Sequence, residues 1–98
     1  MELKIVKENN EHVVFIEGRV DTASATELED QVNLLYDVPS LIFDCTDLEY
    51  ISSSGLRVIL KSYKTMASQG STFILRHLNE EVRSVIDVTG FSRILTIE

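Results

Sequence analysis

The sequence predicts one α/β domain, with a mostly parallel central sheet, helices packed over it and the element order β-β-α-β-α-β-α-β. The chain has 98 residues, 44% of them hydrophobic, which suffices for one core without disulfides or a structural metal. Its second half alternates short apolar runs with segments of three-to-four apolar spacing, a pattern typical of right-handed crossovers between parallel strands. We therefore expect residues 1–98 to form a single layered domain.

The first 20 residues predict two strands joined by a turn. Apolar residues such as Leu3, Val13 and Phe15 alternate with polar ones on either side of residues 8–11. That turn contains two asparagines, which tolerate positive φ. Gly18 is expected to close the second strand.

Residues 22–36 predict an amphipathic helix followed by a buried strand. Ser24 and Glu27 have the spacing of a capping box, and Pro39 ends the connection. The run at residues 41–45 is almost entirely apolar, as expected for a strand covered on both faces. The helix is indicated by apolar residues at three-to-four spacing, namely Ala25, Leu28, Val32 and Leu35.

The second half of the chain predicts two more helices and two short strands. One helix begins after three serines and ends at Gly70, and a strand at residues 72–75 follows. Asn79 can cap the last helix, which Gly90 stops, and residues 94–97 close as a strand. The apolar positions that indicate these two helices are Leu56, Ile59, Leu60, Tyr63, Met66 and Ala67, then Val82, Val85 and Ile86.

The charge and the reactive side chains exclude several function classes. The formal net charge of −7 repels phosphate backbones and anionic headgroups, so we expect neither nucleic acid nor a membrane surface as partner. No apolar stretch approaches the ~18 residues of a membrane span, and we expect a cytoplasmic protein. Cys45 is the only cysteine and is interpreted as a small buried hydrophobe. His12 and His77 lack metal-ligand spacing, so no metal site is expected.

The segment at residues 52–55, three serines and a glycine at a helix start, is not explained by core building. One serine is explained by capping, because its hydroxyl accepts a backbone N–H that otherwise lacks a partner, for about 1 kcal/mol. Capping does not explain all three serines. A helix N-terminus also favours negative charge, by about 0.3–1 kcal/mol, and so could accommodate a phosphoserine.

Three segments resemble the STAS domains of bacterial anti-sigma factor antagonists. Residues 47–60 resemble the family signature, in which an aspartate precedes the phosphorylated serine in a D-S-S/T-G-L-G pattern. Residues 18–21 resemble the family's G-x-[IL]-D turn before the first helix. Residues 87–91 resemble its late D-x-x-G-[LF] turn. The resemblance spans nearly the whole chain and implies the same element order as the apolar patterns.

The resemblance implies phosphorylation of Ser53, with Ser52 and Ser54 as alternatives. Ser52 stands where the family usually has aspartate, and Arg57 replaces the second glycine of the pattern. Arg57 either pairs with the phosphate from one helical turn away or is a solvated surface arginine. The partner-binding switch surface implied by the motif comprises Asp21, Thr22, Ser52, Ser54, Gly55, Leu56 and Arg57.

Two of these residues also have a purely structural interpretation. Asp21 matches an aspartate near the phosphorylation loop, and it also suits an N-cap or a first helical turn, where a carboxylate is favourable with the dipole. Both roles are compatible. Leu56 could belong to the docking surface, but a leucine on a helix face is more often part of the core, which is what we expect here.

The resemblance implies a partner-switching regulator of transcription, without enzyme activity or cofactor. The unphosphorylated domain, monomeric when free, binds an anti-sigma factor that is also a serine kinase, and phosphorylation with the kinase's ATP releases it. A PP2C-type phosphatase restores the binding form. The alternative is a STAS scaffold or accessory subunit, in a stress-sensing assembly, in secretion regulation or in lipid transport, with no sigma factor client.

The sequence gives little support to an enzyme. The best catalytic set is Ser53 with His12 or His77, but no pattern positions either histidine and no G-x-S-x-G elbow is present. No phosphate-binding loop or dinucleotide fingerprint occurs either. We therefore expect the chain to be the substrate of a kinase and not a kinase itself.

Overall fold

A computed structural model describes all 98 residues, Met1–Glu98. The strands are β1 (Glu2–Glu8), β2 (Glu11–Val20), β3 (Ser40–Asp44), β4 (Leu48–Ile51), β5 (Thr72–Arg76) and β6 (Thr96–Ile97). The helices are α1 (Thr22–Asn33), α2 (Ser53–Ser68) and α3 (Glu80–Val88), with a short 3-10 helix at Phe91–Arg93.

The sheet has the strand order β1-β2-β3-β5-β6, and β4 pairs with β2 beside this path. Only β1 and β2 are antiparallel; every other pair is parallel. The helices pack over the sheet around one cluster of 21 buried apolar residues, in which Phe43, Leu28 and Ile59 are fully buried. The predicted α/β class with a mostly parallel sheet is confirmed.

The predicted hairpin is confirmed, but the role given to Gly18 is wrong. Asn9 has a φ of 56° in the turn, as the asparagines led us to expect. Gly18 has a φ of +90°, yet β2 continues through it to Val20, and the register with β4 shifts between Gly18 and Arg19. The glycine is thus the site of a bulge, at which β2 changes its parallel neighbour from β3 to β4.

Strand β4 is the element that the predicted order lacks. Its four residues have the burial pattern of an edge strand, with Leu48 and Ile51 buried and Glu49 and Tyr50 exposed. The local signal was short, since only four residues separate the turn at Asp47 from the serines. The observed order is therefore β-β-α-β-β-α-β-α-β, in which the last strand covers only two residues.

Helix α1 is present, but its cap lies elsewhere than predicted. The capping box joins Asp21 and Ser24, not Ser24 and Glu27, because β2 ends at Val20 and Asp21 takes the extended N-cap conformation. The helix ends at Asn33, short of Tyr36. Its buried residues are Ala25, Leu28 and Val32, as the spacing predicted.

Strand β3 is buried on both faces, as predicted from its composition. Every residue from Leu41 to Cys45 is buried. The Cys45 thiol is fully buried, and burial, with a smaller contribution from the charge of Asp44, raises its pKa to about 12. The interpretation of Cys45 as a small core residue is confirmed.

The later helices differ from the predicted pattern at a few positions. In α2 the buried face includes Val58 and Ser62, whereas Ala67 is exposed. In α3, capped by Asn79 as predicted, Val82 and Ile86 are buried but Val85 is not. None of the helices is long and apolar enough to cross a membrane.

Candidate functional site

Two parallel strands end side by side, and each leads directly into a helix. Val20, the last residue of β2, is paired with Ile51, the last residue of β4. The Ser52 N–H donates to the Val20 carbonyl at 2.8 Å, which extends the pairing by one residue. The N-termini of α1 and α2 therefore lie at the same edge of the sheet, and the predicted switch residues before both helices are brought together.

Ser52 is the N-cap of α2. Its backbone is extended, with φ −81° and ψ 171°, and its Oγ accepts the backbone N–H of Gly55 at 3.1 Å. Its carbonyl accepts the N–H of Leu56 at 2.9 Å and so begins the helix. The family usually has an aspartate at this position, and aspartate and serine cap helices about equally well. The replacement therefore preserves the start of the helix.

Ser53 and Ser54 are the first two residues of α2 and differ in exposure. Ser53 is exposed, whereas Ser54 is half-buried. Since Ser52 provides the cap, the hydroxyl of Ser53 is not needed for it. Ser53 is thus the serine of the cluster that is both open to solvent and placed in the first helical turn, where the helix dipole favours negative charge.

Gly55 brings α2 into close contact with the ends of both strands. A Cβ built at this position would lie 2.6 Å from Ile51 Cγ1 and 2.9 Å from Val20 Cγ1. The buried glycine therefore fixes the distance between the first turn of α2 and the paired residues that end β2 and β4. This packing determines where the serines stand.

Asp21 caps α1 on the other side of the site. Its Oδ1 accepts the Ser24 backbone N–H at 2.9 Å and the Ser24 hydroxyl at 2.8 Å. Hydrogen bonds from the backbone and then the side chain of Ser24 lower the pKa of Asp21. The capping interpretation of Asp21 is confirmed. Thr22 follows as the first residue of α1 and is exposed at the same edge.

The two remaining predicted site residues point to different roles. Leu56 is 7% exposed and belongs to the core cluster, which confirms the expected core position. Arg57 is exposed on the first turns of α2, four residues after Ser53. Residues at this spacing lie on the same face of a helix. The arginine therefore stands on the helix face that carries Ser53.

A cation–π pair beside the serines was missed by the sequence analysis. Arg19 and Tyr50 are register partners in β2 and β4, and Arg19 Cζ lies 4.2 Å from the centroid of the Tyr50 ring. The pairing depends on the bulge at Gly18 and on β4, neither of which was predicted. The only local signal was that each residue stands two positions before the N-cap of a helix.

The two histidines lie away from the serines. His12 is eight residues before the end of β2, roughly 26 Å along an extended strand. His77 Nδ1 lies 3.1 Å from Thr46 Oγ1 and 3.5 Å from Asp44 Oδ2, beyond the end of β5. Neither histidine hydrogen-bonds a serine of the cluster, so neither is placed to act as a general base for Ser53.

The polar cluster at Asp44 has a structural explanation. Asp44 Oδ1 accepts the Thr46 hydroxyl at 2.6 Å and the Thr46 backbone N–H at 3.0 Å. Burial acts to raise the pKa of Asp44, but these hydrogen bonds and the neighbouring charges of His77 and Arg76 outweigh it, and the pKa is lowered. The Thr46 hydroxyl donates its hydrogen bond to the Asp44 carboxylate and not to His77. His77 is therefore not placed to activate Thr46 as a nucleophile.

The fold and the site together define a small α/β module that presents two capped helix N-termini, one of them rich in hydroxyls, at one edge of its sheet. The family model described as STAS domain matches residues 3–98. The chain belongs to the STAS domain family, as its motifs led us to expect.

A curated relative agrees with this assignment, and solved structures share the fold. The anti-sigma-B factor antagonist of Bacillus subtilis is 32% identical over 94 residues, which cover 94% of this chain and 86% of that protein. An anti-sigma factor antagonist from Mycobacterium paratuberculosis has a TM-score of 0.90 at 20% identity, over 98% of this chain and 83% of that one. SpoIIAA of Bacillus, solved in its phosphorylated form, has a TM-score of 0.80 at 15% identity, over 99% and 91%.

Proposed function

We propose that this chain is an anti-sigma factor antagonist that acts as a single STAS domain and regulates transcription by partner switching. Membership of the family and the similarity to the antagonist of Bacillus subtilis support this function. The site agrees with it, because a surface of two helix N-termini suits contact with another protein. Nothing in the arrangement requires a cofactor, and we infer that the chain itself is not an enzyme.

Within this function Ser53 is the residue that is phosphorylated. The observation that carries this choice is the division of roles among the serines: Ser52 is engaged as the N-cap, Ser54 is half-buried and Ser53 is exposed. A kinase needs the hydroxyl to enter its active site, which favours the exposed residue. Arg57, on the same face of α2, is a candidate partner for the phosphate.

The physical basis of release is local. A phosphate adds about −1.5 to −2 charges at neutral pH, and the first turn of α2 tolerates them in the free domain. In the complex the same phosphate must leave water against a partner surface shaped for a hydroxyl, and a buried charge without a partner is costly. The phosphorylated domain therefore dissociates.

The proposed partners follow from this cycle. An anti-sigma factor with serine kinase activity binds the unphosphorylated domain and supplies the ATP. A PP2C-type phosphatase removes the phosphate. The free domain is a monomer in the cytoplasm, and its net charge of −7 favours basic groups on the surface of the kinase.

The decisive experiment is a phosphate-transfer assay. The chain is incubated with ATP and a purified anti-sigma factor that has serine kinase activity, and intact-mass and peptide mass spectrometry locate the phosphate. We expect one phosphate, on Ser53, and none in Ser53→Ala, whereas Ser54→Ala is still modified. A phosphate on Ser52 or Ser54 would overturn the assignment of the site. Stable binding of the kinase with no phosphate on any serine would favour the scaffold or accessory function instead.

A further inference from the structure

A groove between β4 and α3 remains open beside the serine site. Its volume is about 230 Å³. Its apolar lining includes Tyr50, Val82 and Val85, of which Tyr50 and Val85 are exposed, and Glu49 and Glu81 line it as well. The sixth lining residue is Ile51, the last residue of β4.

The groove holds apolar surface that the chain itself leaves uncovered. Val85 has the spacing of a core position in α3 and yet is 38% exposed, and Tyr50 is 39% exposed. They lie together because β4 is an edge strand whose only neighbour is β2, so nothing covers its outer side except α3. Adjacent exposed apolar side chains in a concavity are typical of a surface that another molecule covers.

Tyr50 is held in place by a cation–π contact. The Arg19 guanidinium stacks on its ring at 4.2 Å, and the two residues are paired across β2 and β4. A ring supported in this way loses little conformational entropy when a partner packs against it. Aromatic side chains in such positions often dominate the binding energy of interfaces.

The groove lies next to the serine site along the chain. Ile51 directly precedes Ser52, the N-cap of α2, and Tyr50 precedes Ile51. A kinase that reaches the Ser53 hydroxyl therefore comes within two or three residues of the end of the groove. The groove extends the contact surface along β4, away from the hydroxyl that is modified.

The charged residues that line the groove select the chemistry of its occupant. Its lining contains two carboxylates, from Glu49 and Glu81, and no basic side chain. We propose that this groove receives an apolar side chain of the kinase that is flanked by lysine or arginine, and that it holds the kinase while Ser53 is modified. The inference rests on the proposed function, because the occupant is that kinase.

The test uses two matched pairs of variants made in a Ser53→Ala background, so that binding is measured without phosphorylation. Val85→Asp alters the groove, whereas Val88→Asp places the same charge on the same helix at a residue that does not line it. Glu81→Lys reverses a charge of the groove, and Glu80→Lys reverses its neighbour in the first turn of α3. Affinity for the purified kinase loaded with ADP is measured by calorimetry, after thermal unfolding confirms that each variant folds.

We expect Val85→Asp and Glu81→Lys to weaken binding by about tenfold or more, and their controls by less than about twofold. Equal affinities within both pairs, with Ser53 of the parent chain still phosphorylated, would overturn the groove and leave the proposed function standing. Binding that depends on the groove, without phosphorylation of Ser53, would support the groove and overturn the phosphorylation switch. A kinase that binds none of the chains would overturn both.

Discussion

Gly55 has no side chain, and both the packing of α2 and the position of the serine site depend on this. Its backbone approaches Ile51 and Val20 so closely that a Cβ would stand within 3 Å of a carbon of each. Both neighbours are β-branched and buried at the ends of paired strands, so they have little freedom to move. The glycine of the sequence motif is therefore explained by packing under the serines.

We expect Gly55→Ala to lower the free energy of unfolding by roughly 1–2 kcal/mol. Overpacking costs about 1–3 kcal/mol, and the better helix propensity of alanine offsets part of it, at most about 1 kcal/mol. Urea denaturation followed by circular dichroism measures the difference. In an Ile51→Ala background, which removes the nearest carbon, the same substitution should cost less. An alanine variant as stable as the parent would show that the close approach is relaxed at no cost.

At the scale of elements, the helix caps are the features that define the site most directly. Asp21 caps α1 and Ser52 caps α2, and the backbone pairing of Val20 with Ser52 holds these caps next to each other. Each cap satisfies N–H groups that the helix cannot satisfy itself. The first turns of both helices are therefore well ordered, which a surface recognised by a partner requires.

Ser52→Ala tests the division of roles between the serines. We expect it to lower the free energy of unfolding by about 1 kcal/mol, because the Gly55 N–H loses its acceptor. Ser52→Asp should retain the parent stability, since aspartate caps equally well. Ser53→Ala, at an exposed residue beyond the cap, should change stability by no more than about 0.5 kcal/mol. A larger loss in Ser53→Ala than in Ser52→Ala would contradict the assignment of Ser52 as the cap.

How far the sequence predicts this molecule depends on whether a feature is encoded locally. Helix positions, the buried strand β3 and the location of Ser53 at the start of α2 followed from apolar spacing and a local motif. Strand β4 did not, because its pairing depends on the bulge at Gly18, where β2 changes its neighbour. The exposure of Val85 was not predicted either. The apolar spacing of α3 indicates a core position there, but it does not show that α3 lies beside an edge strand, where Val85 is left exposed.

At the scale of the whole molecule, the charge of −7 has two separate consequences. It favours a partner with basic groups, which speeds association in a salt-dependent way. It does not by itself explain release, because one phosphate changes a charge that is already large only slightly. The proposed switch depends instead on where the added charge lies, at the exposed first residue of α2.

Ser53→Asp and Gln31→Glu separate these two effects, because each adds one negative charge to the chain. Gln31 is exposed in α1, well beyond its first turn, so Gln31→Glu changes the net charge without changing the serine site. In the free domain we expect both variants to keep the parent melting temperature within about 3 °C, since the dipole of α2 favours an anion at Ser53. In the complex, Ser53→Asp should weaken kinase binding by about tenfold or more, because a kinase surface shaped for a hydroxyl does not compensate for desolvation of the carboxylate. Gln31→Glu should weaken it by less than about twofold. Equal losses in the two variants, both relieved by added salt, would mean that net charge and not the local site controls release.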